Sequence, residues 1–453
     1  VGKKIKVFNR TDLGNAEHFA ALYKDKIRFD YLRGKWFIWN DVRWREDDDG
    51  EMYRLAKRAI RERRLTAELL DDDLKEKEIK HTLACESRNR ITAMLDLAKG
   101  EKRLADNGRN WDVDPWLLGT ESGVVDLRSG ELLPPDPHRR VTMTTGYAFD
   151  PDATCPTWDK IVPSYWDDPE IVRYFTKALG YSLTGTTHEQ CLFTLYGLGE
   201  NGKSTLVTTV KRVVGDYGYV MPFSTIEAQA RASVSNDVAA LVGKRYVMSS
   251  ETQEDIRLNE GRIKSLTGDT EMTARFLYRE NFSFRPVAKF WLAFNHKPRV
   301  FDDSHGFWRR IRMVHMDKTF SDSDKISDLE GKLLEEKAGI LNWLIRACLL
   351  WRREGLFTPK VLQDATDLYR EESDPLAEFL DECTTAGADL ATPKGEGYRA
   401  YKIWARENGR VAIGPHKFGQ RLETRGITDD RIGAERTRVW RGFELNSGVP
   451  TEL

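Results

Sequence analysis

The nine residues Gly197-Leu198-Gly199-Glu200-Asn201-Gly202-Lys203-Ser204-Thr205 constrain this chain more than any other stretch. They match the phosphate-loop pattern GxxxxGK[ST]. Glycines at these places let consecutive backbone N–H groups curl around an anion. Cys191 to Tyr196, just before, reads as a buried strand. Leu206, Val207, Val210, Val213 and Val214, just after, form an apolar helical stripe. A strand, a glycine loop and a helix in that order point to an α/β sheet. The helix then aims its positive N-terminus at the anion. Lys203 is placed to reach the β- and γ-phosphates of ATP, and the Ser204 hydroxyl to ligate Mg²⁺. Gly197, Gly199, Glu200, Asn201, Gly202 and Thr205 complete the expected nucleotide-binding set.

Two later strands end in polar residues suited to the same chemistry. Arg245-Tyr246-Val247-Met248-Ser249-Ser250-Glu251 ends in an acid. Glu251 would polarise the attacking water and help hold the metal, with Glu254 and Asp255 as alternatives. The residue before it is Ser250, where many related ATPases carry a second acid. Lys289-Phe290-Trp291-Leu292-Ala293-Phe294-Asn295 ends in an amide that can bond the γ-phosphate or that water. Trp308-Arg309-Arg310-Ile311-Arg312 offers cations for the charge on a transferring phosphoryl group. Supplied by a neighbouring subunit, Arg309 or Arg310 would make hydrolysis depend on assembly. Residues 264–286 read as a β-hairpin with Arg279 near its tip. Lys264, Arg275, Tyr278 and Arg279 mix cations with aromatics, a combination that grips single-stranded nucleic acid.

Composition sets outer limits. Lys and Arg number 71 against 72 Asp and Glu, a net charge of −1. That balance excludes a uniformly basic nucleic-acid coat and an acidic disordered tail. The five cysteines are scattered without a CxxC pair, which argues against a disulfide framework or a zinc ribbon. No apolar run approaches the roughly 18 residues of a membrane span, and no signal peptide is evident. The chain begins at Val1 rather than Met, so a fragment or a processed product is expected. Asp47 to Asp49 and Asp71 to Asp73 sit among other charges and read as solvated loops or helix caps.

Charge is uneven along the chain. Residues 51–105 are highly charged with apolar positions at helical spacing, and read as exposed helices. Asp168-Pro169 starts a helix, helices resume over about 325–373, and Ser373-Asp374-Pro375 looks like a boundary. The last stretch reads as helical at first and strand-like from Thr437 to Leu445. Residues 391–453 hold twelve basic and eight acidic residues. A helix from Gly414 to Arg425 would carry Lys417, Arg421 and Arg425 on one face, toward DNA, with Arg436, Arg438 and Arg441 in a wing.

In order, the blocks GLGENGKST, GKRYVMSSET, RLNEGRIKSLTGDTEMTARFLYREN, FWLAFNHKPRV and GFWRRIRMV resemble the superfamily-3 helicase module of phage and plasmid primase–helicases, a group that includes the poxvirus type. The resemblance covers residues 190–316 in five closely spaced blocks. TDLGNAEHFA, KWFIWNDVRWRED, ESGVVDLRSGEL and DPDATCPTW look like the domain preceding the helicase there. The resemblance implies an AAA+-type core that assembles as a ring, usually a hexamer, and moves 3′ to 5′ on single-stranded DNA. It implies Lys203 and Ser204 as the Walker A pair, Glu251 as the Walker B acid and Asn295 as the sensor. Arg309 or Arg310 would be the arginine finger, and the Arg279 hairpin the DNA-gripping loop.

The expected division follows. Residues 1–150 form an N-terminal α/β domain, 151–190 a helical collar, and 191–320 the P-loop core. Residues 321–373 form its C-terminal helices, and 374–453 a small basic winged-helix-like domain. The expected function is an ATP- and Mg²⁺-dependent ring helicase of phage or plasmid replication, in the bacterial host cytoplasm. A primase or polymerase domain or protein is expected upstream. Two other classes fit parts of the sequence. One is a DNA-binding initiator whose ATP site regulates assembly. The other is a small-molecule P-loop kinase, for which neither a lid nor a substrate acid cluster is evident.

Overall fold

The computed structural model describes residues 8–451, apart from 198, 200, 229–235, 252–255, 276–280, 301, 303, 321–325, 409–411 and 434–435. Thr11 caps α1 (Asp12–Tyr23) by accepting from the Gly14 amide. An antiparallel meander follows, β1 (Ile27–Asp30), β2 (Lys35–Trp39) and β3 (Trp44–Glu46). Asn40 Oδ1 closes the β2–β3 turn by accepting from the amides of Val42 and Arg43.

The charged stretch then forms α2 (Glu51–Thr66), α3 (Asp72–Ala84) and α4 (Arg88–Ala98), and β4 (Ala105–Asp106) joins the sheet beside β1. These helices are more than an exposed layer. Met52, Leu55, Ala56, Ala59 and Ile60 recur at helical spacing and pack with Phe19 and Met94 in a core of their own. The acidic runs serve the helix starts: Asp47 accepts from the amides of Glu51 and Met52, and Asp71 is the N-cap of α3.

A small antiparallel sheet, β5 (Leu117–Thr120), β6 (Gly123–Asp126) and β7 (Glu131–Leu133), comes next. Its Leu118, Val125 and Leu127 are buried with the central unit rather than with the N-terminal helices. The first 150 residues therefore fold as two pieces. Helices α5 (Pro156–Ser164) and α6 (Pro169–Ser182) pack on the same core, with Asp168 capping α6 as its sequence predicts.

The central unit runs β8 (Leu192–Tyr196), α7 (Lys203–Val213), β9 (Gly218–Val220), α8 (Asn236–Ala239), β10 (Tyr246–Glu251), α9 (Glu260–Gly268), β11 (Met272–Arg275), β12 (Asn281–Phe284), β13 (Lys289–Phe294), α10 (His305–Trp308) and β14 (Ile311–His315). Five of these strands form a parallel sheet in the order β14-β8-β13-β10-β9, while β11 and β12 pair as a separate hairpin. Both faces of the sheet are covered, so its strands are apolar almost throughout. Side chains still alternate. Phe193, Leu195, Tyr246, Met248 and Trp291 point into one core, and Leu192, Val247, Phe290, Leu292 and Phe294 into the other. Trp291 is fully buried, stacked 4.4 Å from Phe193, and its indole N–H donates to Ser182 Oγ at 3.0 Å.

Two buried cations fasten the base of this sheet. Arg245 donates to the carbonyls of Leu183 (2.9 Å) and Leu117 (2.7 Å) and lies 4.6 Å over the Tyr217 ring. Lys289 Nζ donates to the carbonyls of Thr184 and Val287. Burial lowers the pKa of both, that of Lys289 strongly. Leu183 and Thr184 lie at the C-terminus of α6, where unsatisfied carbonyls and the negative dipole end favour cations. These side chains thus tie α6 and the β5 strand to β10 and β13.

Helices α11 (Leu329–Glu335), α12 (Lys337–Glu354) and α13 (Lys360–Glu372) follow. α12 packs along α6, and α13 closes the β14 edge, where Thr366 Oγ1 accepts from the Met313 amide. The final unit comprises α14 (Pro375–Cys383), β15 (Thr384–Pro393), α15 (Lys394–Glu407), α16 (Pro415–Glu423), β16 (Thr428–Ile432) and β17 (Thr437–Leu445). Its sheet runs β15-β17-β16. Strand β15 falls where the sequence suggests helix. Its threonines pair with β17, a partner some fifty residues on that no local pattern announces. Tyr401 and Trp404, with Phe379, Phe418, Leu422 and Trp440, form this unit's core. No helix among the described residues is long and apolar enough to cross a membrane.

Candidate functional site

Strand β8 delivers the chain to Gly197, whose N–H donates to Phe294 O on the adjacent strand. A β-carbon on Gly197 would collide with the Asn201 amide and the Met316 carbonyl. Asn201 is buried, and its Nδ2 donates to Met316 O at 2.9 Å. Its Oδ1 accepts from Lys203 Nζ at 2.7 Å, and Gly197 O accepts from the same ammonium at 2.6 Å. Asn201 thus pins the loop to the exit of β14. Gly202, the N-cap of α7, has φ +70°, a conformation L side chains rarely adopt, and a β-carbon there would strike the Tyr165 hydroxyl.

Lys203 is 5% exposed, and the groups recorded against its ammonium are neutral oxygens. Burial alone pulls its pKa down. Among the described residues no carboxylate pairs with it. The first turn of α7 adds unsatisfied N–H groups at the same place. A buried cation beside a helix N-terminus forms a site that a bound anion would stabilise. Ser204 is exposed and Thr205 half-buried on that first turn. Gly199 belongs to the same loop, while Glu200 lies outside the described residues.

Register brings the expected acid and amide to this end of the sheet. Glu251 is the last residue of β10 and pairs with Phe294, which pairs in turn with Tyr196. Asn295 follows β13 directly and is half-buried. The ends of β8, β13 and β10 therefore lie side by side, spanning about 10 Å across two strand spacings. Glu254 and Asp255 lie outside the described residues.

Arg309 and Arg310 lie at the opposite end. They precede β14, whose Ile311 pairs with Leu192 and whose His315 pairs with Tyr196. A five-residue strand, about 16 Å long, separates them from their own phosphate loop. Arg309 is exposed, with Nη2 donating to Gln190 Oε1 at 2.7 Å. Arg310 is folded back instead. It donates to the Gly306 carbonyl, lies against Gly268, and keeps a buried Nε with no hydrogen-bond partner. Gln190 and Tyr165, which touch these parts, carry no local sequence signature.

Three families match the chain in sequence order. Residues 16–167 match the family described as D5 N terminal like, and residues 195–310 a family of unknown function (DUF5906). Residues 371–427 match the family described as Poxvirus D5 protein-like. Two D5 segments thus flank the phosphate loop in one chain. The chain thus resembles the D5-type proteins on both sides of its phosphate loop.

Viral relatives include "Putative helicase L207/L206" of Acanthamoeba polyphaga mimivirus, 27% identical over 83% of this chain and 44% of that protein. "Putative helicase 022R" of Frog virus 3 is 24% identical over 63% of this chain and 31% of that protein. "Putative primase C962R" of African swine fever virus is 24% identical over 66% of this chain and 34% of that protein. The chain spans less than half the length of these relatives. Its fold is similar to the apo structure of the NrS-1 C terminal region, with a TM-score of 0.51, 11% identity, and coverage of 94% of this chain and 99% of that one.

Among the described residues, those expected to touch DNA do not form one surface. Arg275 ends β11 opposite Asn281 and is exposed, whereas Tyr278 and Arg279 lie outside the described residues. Lys264 is not on the hairpin. It sits on α9, where Nζ pairs with Asp302 (2.5 Å) and bonds Ser304 Oγ (3.0 Å). Lys417 is exposed on α16. Arg421 and Arg425 correct the expected DNA-facing stripe, because both pair with Asp374, and Arg421 is 3% exposed. A step of four residues turns about 40° around a helix, which carries Arg421 from the exposed side at Lys417 toward buried Phe418 and Leu422, while Arg425 lies beyond the end of α16.

Asp374 also caps α14, which explains why the Ser373-Asp374-Pro375 boundary is a packed joint. Asp374→Ala removes the cap and leaves the Arg421 charge buried without this carboxylate. It is expected to lower the C-terminal unit's stability by about 3 kcal/mol. A separate early transition in calorimetry, absent from the parent chain, would register it. A superimposable melting curve would refute it.

Proposed function

We propose that this chain is the ATP-driven motor of a primase–helicase, a ring that hydrolyses ATP between subunits and moves along single-stranded DNA during phage or plasmid replication. One observation carries the reading. The phosphate loop, the acid and the amide share one end of a parallel sheet, and the exposed Arg309 stands at the other. No single copy can bring both ends to one phosphate group. A head-to-tail ring can, because heterologous contacts present one end of each copy to the other end of the next. The strand order, with β13 between the loop strand and the acid strand, supports an AAA+-type core. The names of the viral relatives favour a replication role.

In this reading the loop N–H groups and Lys203 hold the β- and γ-phosphates of ATP. Ser204 would hold Mg²⁺, assisted by Glu251. Bound Mg²⁺ would screen the phosphate charge. Glu251 accepts a proton from the attacking water, and Asn295 orients that water against the γ-phosphate. Arg309 of a neighbouring copy, with Arg310 as the alternative, neutralises charge developing on the transferring group. Hydrolysis would move the paired strands β11 and β12 and pull the DNA strand.

The reading is tested by ATPase rate per subunit against protein concentration, with and without single-stranded DNA. The rate is expected to rise as copies assemble and to rise again with DNA. A rate independent of both would sink the motor reading. Assembly-dependent turnover that ignores DNA would point to an ATP-regulated initiator.

A further inference from the structure

We propose that Gln190 is a positioning residue for the trans-acting arginine, holding Arg309 extended for the neighbouring copy's phosphate. This inference rests on the reading of Arg309 as the cation supplied across a subunit boundary. Four observations carry it.

The contact is direct: Arg309 Nη2 donates to Gln190 Oε1 at 2.7 Å across 119 residues of sequence. The backbone at Gln190 is unusual, with φ +46° in the left-handed region. Glycine, asparagine and aspartate take that conformation more readily than glutamine. A residue that persists there against its preference is a candidate for function.

The segment bearing Gln190 is fastened on both sides. The Gln190 N–H donates to Thr187 O at 3.0 Å. Glu189 Oε1 accepts from the Trp351 indole at 2.9 Å, and the His188 ring stacks 5.2 Å from Trp351. Beyond it, β8 starts within two residues and is buried in both cores. Gln190 is therefore referenced to the same strand that ends in the phosphate loop.

The acceptor is also neutral. An exposed arginine samples many rotamers, and a tether selects one of them before the neighbour docks. A carboxylate at this place would hold the guanidinium too, but would cancel the charge that the transferring phosphoryl group needs. The adjacent acid, Glu189, is turned to Trp351 instead.

The experiment uses the full chain, assembled on single-stranded DNA, and measures kcat and KM for ATP. Gln190→Ala is expected to lower kcat by about ten- to a hundredfold, the range seen when a reacting group is displaced by about an ångström, with KM unchanged. In an Arg309→Ala background the same substitution is expected to change the residual kcat less than about twofold, because the contact it serves is already gone. Gln190→Gly suits the left-handed backbone, so it is expected to match the parent chain in melting temperature while losing kcat as Gln190→Ala does.

Equal losses in both backgrounds would make Gln190 merely structural and overturn the proposal, as would a Gln190→Gly chain whose kcat falls only in step with its melting temperature. If Arg309→Ala is inactive and Gln190→Ala fully active, the proposal fails while the arginine reading stands. If Arg309→Ala is fully active, the arginine reading fails and this one with it.

Discussion

Lys203→Ala is expected to abolish ATP turnover, by about a thousandfold or more, without destabilising the chain. Catalytic loss follows from removing a preorganised charge from a water-poor site where negative charge must be held. The stability half is less usual for a buried residue. Truncating a buried side chain ordinarily leaves a cavity and costs a few kcal/mol. Here the buried group is a cation bonded to Asn201 Oδ1 and Gly197 O, and burial alone depresses its pKa. Its removal relieves desolvation that no carboxylate among the described residues offsets.

The melting temperature should therefore stay level or rise, while nucleotide binding and turnover fall together. The two halves separate the roles. A lysine that only supports the loop would lose stability and activity in parallel. A functional lysine trades stability for activity. Thermal melting without ligand, fluorescence binding of a nucleotide analogue and steady-state ATPase measure all three quantities on one preparation. Turnover within tenfold of the parent chain would remove Lys203 from the mechanism. Lys203→Met, which keeps the volume and drops the charge, guards against a collapsed loop.

The loop was legible in the sequence because its physics is local. Glycines, a lysine and a helix start must stand within nine residues to cradle a phosphate. The strands bearing Glu251 and Asn295 were legible for a related reason, since a parallel sheet buried on both faces writes itself as short apolar runs. Pairwise facts between distant segments were not legible. Arg421 reads as a surface cation in any helical projection, and only the docking of α14 turns it toward Asp374. Lys264 reads as part of a hairpin until Asp302 and Ser304 come to meet it from 38 and 40 residues away. Strand β15 needs β17, and Gln190 gains meaning from Arg309. Each is a tertiary contact overriding a local preference. Such contacts also fix which charged residues stay free to meet a partner, so the DNA-facing set was the weakest part of the reading.

The strand that separates Arg309 from its own phosphate loop leads to the second large effect. Arg309→Ala is expected to lower turnover by about a thousandfold while nucleotide binding to the isolated chain stays intact, since nothing in that copy's loop is touched. Lys203→Ala is expected to be inactive as well. Mixed in equal amounts and reassembled, the two inactive chains should regain activity. Each site takes Lys203 from one copy and Arg309 from the next, so in a randomly mixed head-to-tail ring about a quarter of the sites carry both. A site built within one copy cannot recover, because every copy lacks one of the two groups. ATPase rate against mixing ratio should therefore peak near equal proportions and vanish at both ends. A flat baseline from mixtures shown to assemble would mean that Arg309 does not act across a boundary. Arg310→Ala runs as the companion. Its guanidinium is bound to Gly306 O and packed beside Gly268, so its loss should disturb the α9–α10 junction and lower stability before it affects complementation. If Arg310→Ala instead complements Lys203→Ala and Arg309→Ala remains active alone, the catalytic cation is the inner arginine. It would then have to swing out from Gly306 when the neighbouring copy docks.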